Sequence, residues 1–498
     1  MRGVVLVSAG LTLMACSTVP QAITVSEALN HAEELRTELS AQREPVTQPI
    51  SLYEGMARAL KYNLNHRVSM MEMNLARADY DLSHYDRLPK IVANSGYYGR
   101  NNQQGSSSLS LLSGRQSLEP STATERDVFS GDLTASWNML DFGLSKIRSE
   151  QLGDDIMIYE ERRRKAIIQI MEDVHRAYWR AVTSERLKTR LALLEGDVRQ
   201  AFDDSRILYT ARKTAPMAAL TYQRELNDIQ GQSQRLSRDL RLAKMELAAL
   251  MGLSPDQSFT LQMPIGGDRL KRLTMTYGEM IDVALKQRPE IRESLYAKRI
   301  GEKEMKKAVL EALPSLEGFA GLNASSNTFL FNRDWAAYGL RASWNLLDVF
   351  FIGRRKRKAK AGYALEKQRG LAAAMAVMTQ LGVSRLRYES LMAEYDTAEQ
   401  AAQIQNDILR HVEALSTTGA TSRQALIRER MNTIMSEARR DAVHAEMKEA
   451  AAHIYSSLGF DPYGADIRGD EDIAVIAASL KSLWEARSRS PEPHSTAT

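Results

Sequence analysis

The hydrophobic positions along the chain follow two different periods, and the change between them occurs twice in the same order. From Ser51 to about Leu88 the apolar residues recur every three or four positions, which predicts a helix, and Pro89 ends it. Residues 91–100 and 128–140 then alternate as strands do, with a loop rich in Ser, Gly and Gln between them. A second pair of strand-like stretches, at residues 316–325 and 335–347, follows the same plan.

The strand-like stretches separate apolar from small polar side chains. In one of them Leu133, Ala135, Trp137 and Met139 share a face, and Asp132, Thr134, Ser136 and Asn138 share the other. Each stretch has about ten residues, the length of a tilted transmembrane strand, although a strand of a soluble sandwich alternates in the same way. The aromatic residues that could lie at a barrel wall or membrane interface are Tyr97, Tyr98, Trp137, Trp335 and Trp344.

A long helix is predicted after each pair of strands. The first runs from about residue 145 to residue 211, which is roughly 100 Å. Turns at residues 211–216 and 416–421 reverse the chain, and a shorter helix returns from each. Since a returning helix covers only half of a long one, we expect the opening helix of each unit to stack on it end to end. The seams that support this packing are Ile167, Ile170, Val174, Ala177 and Ala181, and Val377, Leu381, Ser384, Tyr388, Leu391 and Tyr395.

The chain is an internal duplication. "ASWNMLDFG" at residues 135–143 returns as "ASWNLLDVF" at residues 342–350, and a Leu-Pro pair precedes each phrase. The predicted segments are a signal peptide (1–15), a lipid-anchored segment (16–50), repeat 1 (51–254), an equatorial connector (255–275), repeat 2 (276–460) and a C-terminal equatorial segment (461–498).

The N-terminus resembles that of a bacterial lipoprotein. An apolar run at residues 3–15 follows Arg2 and is too short for a membrane-spanning helix, which needs about 20 residues. Residues 13–16 resemble a lipobox, in which the thiol of Cys16 receives diacylglycerol, and Ser17 points to sorting to the outer membrane. The alternative is an ordinary cleaved signal with a chance cysteine.

Composition narrows the function classes. The chain of 498 residues has 66 basic and 62 acidic side chains and a net charge of +4, so its surface is mixed and no nucleic-acid face is expected. One cysteine cannot form a disulfide framework. No nucleotide-binding, zinc-protease or nucleophile motif occurs, and we expect His175 and His411 on solvated helix faces. The sequence predicts no enzyme, no metal and no cofactor apart from the covalent lipid.

The basic run RRKRKAK at residues 354–360 follows the last strand-like stretch. It is either a solvated helix start or a contact with anionic phospholipid head groups. Nucleic-acid binding is not expected, because no aromatic residues interleave the run.

Taken together, the lipobox, the two repeats, "SWNLLD" after the strands and the Gly-terminated helix ends resemble the TolC-like outer membrane efflux proteins, in their lipoprotein branch. Four strands cannot close a barrel, whereas three copies would supply twelve. The expected fold class is therefore an α+β membrane protein, in which a homotrimer would close a 12-stranded β-barrel above an α-helical tunnel. The resemblance implies a periplasmic adaptor (membrane fusion) protein and an inner-membrane pump of RND or ABC type as partners. It implies export of drugs, metals or polypeptides.

The two turns are the expected adaptor contacts at the periplasmic tip. The residues concerned are Arg212, Lys213, Thr214, Ala215, Pro216, Leu220, Gly419, Ala420, Thr421, Ser422, Arg423 and Leu426. Lys213 and Pro216 stand where the family pattern has Gly and Ser, and Gln424 and Ala425 stand where an acid is common. The tip is thus expected to be basic, without an acidic ring.

A different class of function stays open. A lipid-anchored periplasmic coiled-coil scaffold would share the lipobox and the heptads but would leave the alternating stretches unexplained. The cargo and the energy source of the pump are not encoded in this chain.

Overall fold

The computed structural model describes residues 22–40, 44–117, 119–212, 215–254, 257–263, 273–461 and 471–489. The predicted signal peptide, Cys16, Lys213 and Thr214 lie outside the described residues. Residues 1–47 form one compact unit, whose described helix is α1 (Val25–Ser40). Leu29, Leu35 and Leu39 of this helix are exposed within that unit.

The second unit, residues 48–498, contains the two repeats and a final helix. Repeat 1 consists of α2 (Leu52–Tyr62), α3 (Leu64–Ser83), a 3₁₀ turn (Tyr85–Arg87), β1 (Lys90–Gly99), β2 (Asp127–Asn138), α4 (Met139–Thr210) and α5 (Pro216–Leu250). Repeat 2 consists of α6 (Tyr277–Gln287), α7 (Pro289–Leu310), β3 (Ser315–Ser325), β4 (Asp334–Ser343), α8 (Leu346–Thr417) and α9 (Arg423–Ser457), and α10 (Ile473–Arg489) follows. The long helices α4 and α8 have 72 residues each and the returning helices α5 and α9 have 35 each, so these helices match in length between the repeats.

The opening helix of each repeat is broken, and the sequence prediction of one continuous helix is wrong. Asn63 separates α2 from α3 in an extended conformation, and its side chain accepts hydrogen bonds from the first turn of α3. Arg288 takes the same position in repeat 2, where Pro289 begins α7. Proline disfavours helical geometry at the residue before it, and an asparagine cap competes with helix continuation, so each break has a local cause.

The four strands form one antiparallel sheet in the order β1-β2-β3-β4. The register pairs Leu133 with Leu322 and Leu322 with Ala336, so the two hairpins present a continuous apolar face. The outer edges of β1 and β4 have no partner strand among the described residues.

The helices pack as two antiparallel coils. Helix α4 packs along α5, α8 packs along α9, and α4 also contacts α9. The core in the half next to the turns contains Leu187, Leu191, Leu194, Val198, Ala201, Leu226, Ile229, Leu240, Ile427, Met431, Ile434 and Ala438. Within the described part of the chain, no helix is both long and apolar enough to span a membrane.

The returning helices end against the breaks in the opening helices. Gly252 follows α5 with φ +69°, and a Cβ added there would lie 2.8 Å from Tyr62 Cβ. Gly459 follows α9 with φ +83°, and its added Cβ would lie 2.6 Å from the backbone nitrogen of Arg288. Glycine is required at both positions because it allows the left-handed turn and the close approach together.

Candidate functional sites at the two ends of the long helices

The repeated phrase forms the junction between sheet and helix. The indole Nε1 of Trp137 donates a hydrogen bond of 3.2 Å to the carbonyl oxygen of Arg87, two residues before Pro89. Asn138 then caps α4, since its side chain accepts hydrogen bonds from Leu140 and Asp141 backbone nitrogens at 2.9 and 3.3 Å. Tryptophan therefore ties the end of the second strand to the chain entering the first, and asparagine starts the long helix.

The second copy builds the same junction. Asn345 caps α8 by accepting a hydrogen bond of 3.2 Å from the backbone nitrogen of Leu347. Asp348, in the first turn, pairs with Arg355 at 2.8 Å, and a carboxylate there also complements the helix dipole. The phrase "SWNxLD" is therefore a structural device for turning a strand into a helix.

The sheet has an apolar and a polar face, and the aromatic residues divide between them. Tyr97 pairs with Phe129 on the apolar face, which Trp137 shares. Trp335 pairs with Asn323 on the polar face, and Asp132 pairs with Asn323 there too. Trp335 and Tyr98, which pairs with Val128, therefore lie on the opposite face of the sheet from Tyr97 and Trp137, because their positions along the strands have the opposite parity.

At the other end, the two turns are equivalent but use different residues. Arg212 adopts φ +56° in the first turn and Gly419 adopts φ +72° in the second, and the two positions are 207 residues apart in sequence. Among the described residues of the first turn, Arg212 therefore occupies the position equivalent to Gly419, and Lys213 lies outside the described residues. For a residue with a side chain, that conformation costs roughly 1–2 kcal/mol.

The helices that leave the turns also start differently. Ser422 caps α9 by accepting a hydrogen bond of 3.1 Å from the backbone nitrogen of Ala425. Its equivalent is Ala215, which has no side-chain cap, and Pro216 occupies the first position of α5. The sequence had suggested that Pro216 stands in place of the serine. Instead, Ala215 stands in its place and Pro216 starts the helix.

The other predicted contacts surround the turns. Leu220 is exposed on α5, Leu426 is half-buried on α9, and Ala420 and Thr421 form the loop between α8 and α9.

The expected basic tip is partly neutralised. Arg423 donates to Asp204 at 3.0 Å and to Gln200 at 3.0 Å, both on α4. Glu225 on α5 accepts a hydrogen bond from Arg428, and this bond holds the pKa of the carboxyl below its usual value. The tip is therefore less basic than expected near Arg423, because the acidic partner of Arg423 comes from another helix.

Asp204 belongs to a series of ion pairs between α4 and α9. The pairs are Arg176–Glu449, Arg186–Asp441, Arg190–Glu437, Asp197–Arg430 and Asp204–Arg423. Sequence reasoning missed them, yet a signal was present: Asp197 and Asp204 are seven residues apart, as are Arg423 and Arg430. Matching heptad spacing on two antiparallel helices predicts such pairing.

His175 lies in the interior and His444 is partly buried, which corrects the expectation that His175 lies on a solvated helix face. His175 is 6% exposed and stacks beside Trp484 of α10 with ring centroids 5.8 Å apart. Burial lowers its pKa to about 3, and Lys448 and His444 add to this. Burial also lowers the pKa of His444 to about 4. His411 is exposed, as predicted.

The described residues contain no group of three or more His, Cys, Asp or Glu side chains that could hold a metal ion. His175 and His444 pack against the rings of Trp179, Trp484 and Tyr395.

Comparison with known proteins bears on this architecture, although no family model matches the chain. The cation efflux system protein CusC of Escherichia coli K12 is 24% identical over 309 residues, which are 60% of this chain and 62% of CusC. CusC of Escherichia coli O157:H7 matches to the same extent. The chain thus aligns with about three fifths of the length of the curated relatives it matches.

Solved structures match over more of the chain. The Campylobacter jejuni CmeC outer membrane channel has a TM-score of 0.63 at 14% identity, covering 93% of this chain and 96% of CmeC. The open state of the Neisseria gonorrhoeae MtrE outer membrane channel has a TM-score of 0.60 at 17% identity, covering 82% and 89%. A structure of CusC has a TM-score of 0.61 at 16% identity, covering 85% and 96%. The predicted resemblance is confirmed at the level of fold, which is that of these channels.

Proposed function

We propose that this chain forms, as a homotrimer, the outer membrane channel-tunnel of a tripartite efflux or secretion system. The observation that carries the proposal is the four-stranded sheet, in which the outer edges of β1 and β4 have no partner strand among the described residues. Lipid does not tolerate unpaired backbone groups, so a sheet with an apolar face must close with other copies. Three copies give twelve strands, and β1 of one copy then pairs with β4 of the next.

The dimensions suit such a duct. The strands have 10 to 12 residues, enough for a tilted strand to cross a bilayer. Each long helix has 72 residues, which corresponds to about 108 Å of straight helix. A tunnel of this length would extend far from the outer membrane toward the proposed inner-membrane pump.

The helices also leave apolar side chains that need a partner. Those on α3 and α8 are Leu64, Val68, Met71 and Leu75, and Leu371, Met375, Val383 and Leu386. Each is more than half exposed in the single chain. Helices α3, α4, α7 and α8 pack side by side in that order, so α3 and α8 lie at the two ends of the row. In a closed ring, α3 of one copy would pack against α8 of the next copy and cover these residues.

A groove between the long helices is lined by both apolar and charged side chains. This groove, of about 890 Å³, lies between α4, α7 and α8, and its charged residues are of both signs, among them Asp155, Arg162, Glu304, Glu366 and Arg369. A passive channel needs water-compatible walls and no reacting group, so we infer that the protein is not an enzyme.

The lipid anchor, the adaptor contact and the pump are proposed from the resemblance to the TolC-like outer membrane efflux proteins. The lipid on Cys16 would anchor the chain in the bacterial outer membrane, and the turns around Arg212 and Gly419 would bind a periplasmic adaptor protein. The adaptor would connect the duct to an inner-membrane pump that selects the cargo. The name of CusC makes cations the first cargo to test.

The proposal is tested by the mass of the purified full-length protein in detergent together with its circular dichroism. A particle of three chains with a heat-stable β signal is expected. A monomeric particle with helix alone would support the periplasmic scaffold instead. Labelling with a radioactive fatty acid tests the anchor separately: Cys16→Ala should abolish the label, and a label that persists would refute it.

A further inference from the structure

The basic run at residues 354–360 lies in the third and fourth turns of α8. Its exposed cations are Arg354, Lys356, Arg357, Lys358 and Lys360. The equivalent segment of α4, residues 147–153, reads IRSEQLG and contains one cation. The run is therefore absent from the other copy of the duplication, and the shape of the fold does not account for its charge.

The side of the long helices that continues the apolar face of the sheet is fixed by one aromatic contact. Trp137 lies on that face, and its ring meets the ring of Phe142 edge-on, with centroids 5.6 Å apart and planes at 71°. Phe142 of α4 therefore points to the membrane side. Val349 is its equivalent in α8, 207 residues later.

Two lysines lie below Val349 on the same stripe of α8. Lys356 and Lys360 follow it by seven and eleven residues, spacings that return to one helix face. Both are exposed, and neither has an ion pair with any described residue. The acids of this part of α8, Asp348 and Glu366, pair with Arg355 and Arg369.

Depth along the helix places these lysines beside the lipid head groups. Leu347 and Phe350, in the first two turns, are 63% and 79% exposed and suit the hydrocarbon boundary. Lys356 is six residues past Phe350, or about 9 Å along the helix. The head-group layer is about 5–8 Å thick, and a lysine stem can extend toward it.

We propose that Lys356 and Lys360 bind the phosphates of anionic phospholipids in the inner leaflet of the outer membrane, a contact made once per chain. The proposal rests on the proposed function, because it needs the sheet to be embedded in the membrane. Ammonium groups near a surface of phosphodiester head groups gain Coulomb energy that zwitterionic lipid does not supply.

The test is phospholipid retention by the full-length protein, measured by native mass spectrometry after incubation in detergent with phosphatidylglycerol or phosphatidylcholine. Wild-type protein should retain phosphatidylglycerol preferentially. Lys356→Gln/Lys360→Gln should reduce that preference roughly tenfold, given the energy of two lysines near an anionic surface. The matched control is Lys188→Gln/Lys367→Gln, which removes two exposed lysines farther along the long helices.

The outcomes separate the two proposals. Insertion of the protein into bilayers of either lipid tests whether it is a membrane channel at all. Equal retention of the two lipids by wild-type protein would overturn the lysine site alone. An equal loss in the control would show that only overall charge matters, which also overturns it. Unchanged retention with reduced export in Lys356→Gln/Lys360→Gln would assign the run to cargo or adaptor instead.

Discussion

The indole Nε1 of Trp344 donates a hydrogen bond of 3.1 Å to the carbonyl oxygen of Ala312. Ala312 lies two residues before Pro314, as Arg87 lies two residues before Pro89, so the bond is repeated in both copies. It closes the base of each β-hairpin at the point where the helices begin. The duplicated tryptophan is thus explained by a duplicated junction.

Removing these hydrogen bonds should weaken the junctions. Trp137→Phe and Trp344→Phe keep an aromatic ring but lose the indole donor, and each should reduce the free energy of unfolding by about 1 kcal/mol. Thermal denaturation followed by the β signal measures this. Trp335→Phe is the matched control, since Trp335 lies on the other face of the sheet. An equally large loss in the control would show that the hydrogen bond is not the cause.

The glycine after α9 should not tolerate a side chain. Gly459→Ala puts a methyl group 2.6 Å from the backbone of Arg288 at φ +83°, and we expect a loss of at least about 2 kcal/mol in the free energy of unfolding. The control is Gly362→Ala in α8, where nothing lies within 4 Å of the added Cβ and helix propensity favours alanine. Denaturant unfolding that affects the two variants alike would contradict the account.

Arg212 should be replaceable by the residue that its partner turn uses. Arg212→Gly relieves the left-handed strain at φ +56° and should raise the free energy of unfolding by up to about 1 kcal/mol. The reverse change, Gly419→Arg, should lower it by a similar amount and should also reduce adaptor binding. A calorimetric melt gives the first effect and pull-down with the adaptor gives the second. Stability changes of opposite sign to these would refute the equivalence of the turns.

Acid should destabilise the protein through its buried histidines. The folded pKa values of His175 and His444 are about 3 and about 4, below the unfolded value of about 6.5. Between pH 6.5 and pH 4 the unfolded chain therefore binds more protons, and stability falls as pH falls. Each histidine contributes about 1.4 kcal/mol per pH unit below its unfolded pKa.

His175→Leu should remove one histidine from this slope, whereas the exposed His411→Leu should leave it unchanged. Unfolding free energies measured between pH 7 and pH 4.5 decide the matter. A slope that is identical in wild-type protein and His175→Leu would contradict it.

The order of elements could be predicted from the sequence because it depends on local periodicity. Residues 128–140 show the alternating spacing of a strand after helical spacing earlier in the chain, and the second repeat shows the same change. The break at Asn63 could not be predicted, because helix-forming residues flank it and a single residue leaves the helical conformation. Breaks of this kind depend on which residue caps the next helix.

The sites were less predictable because they depend on parity and on distant partners. Trp335 and Trp344 are an odd number of residues apart, so an alternating strand must place them on opposite faces, and this signal was present in the sequence. The burial of His175 depends on Trp484 of α10, and the neutralisation of Arg423 depends on its ion pair with Asp204 of α4. No local pattern contains those contacts.

The central claim is that copies of this chain close an open duct through a membrane. The most direct measurement is single-channel conductance of the purified protein in a planar bilayer, recorded beside Arg423→Ala so that a closed tip cannot hide the pore. Discrete conductance steps are expected, and they should be larger or more frequent in the variant. A bilayer that stays silent with both proteins would contradict the channel.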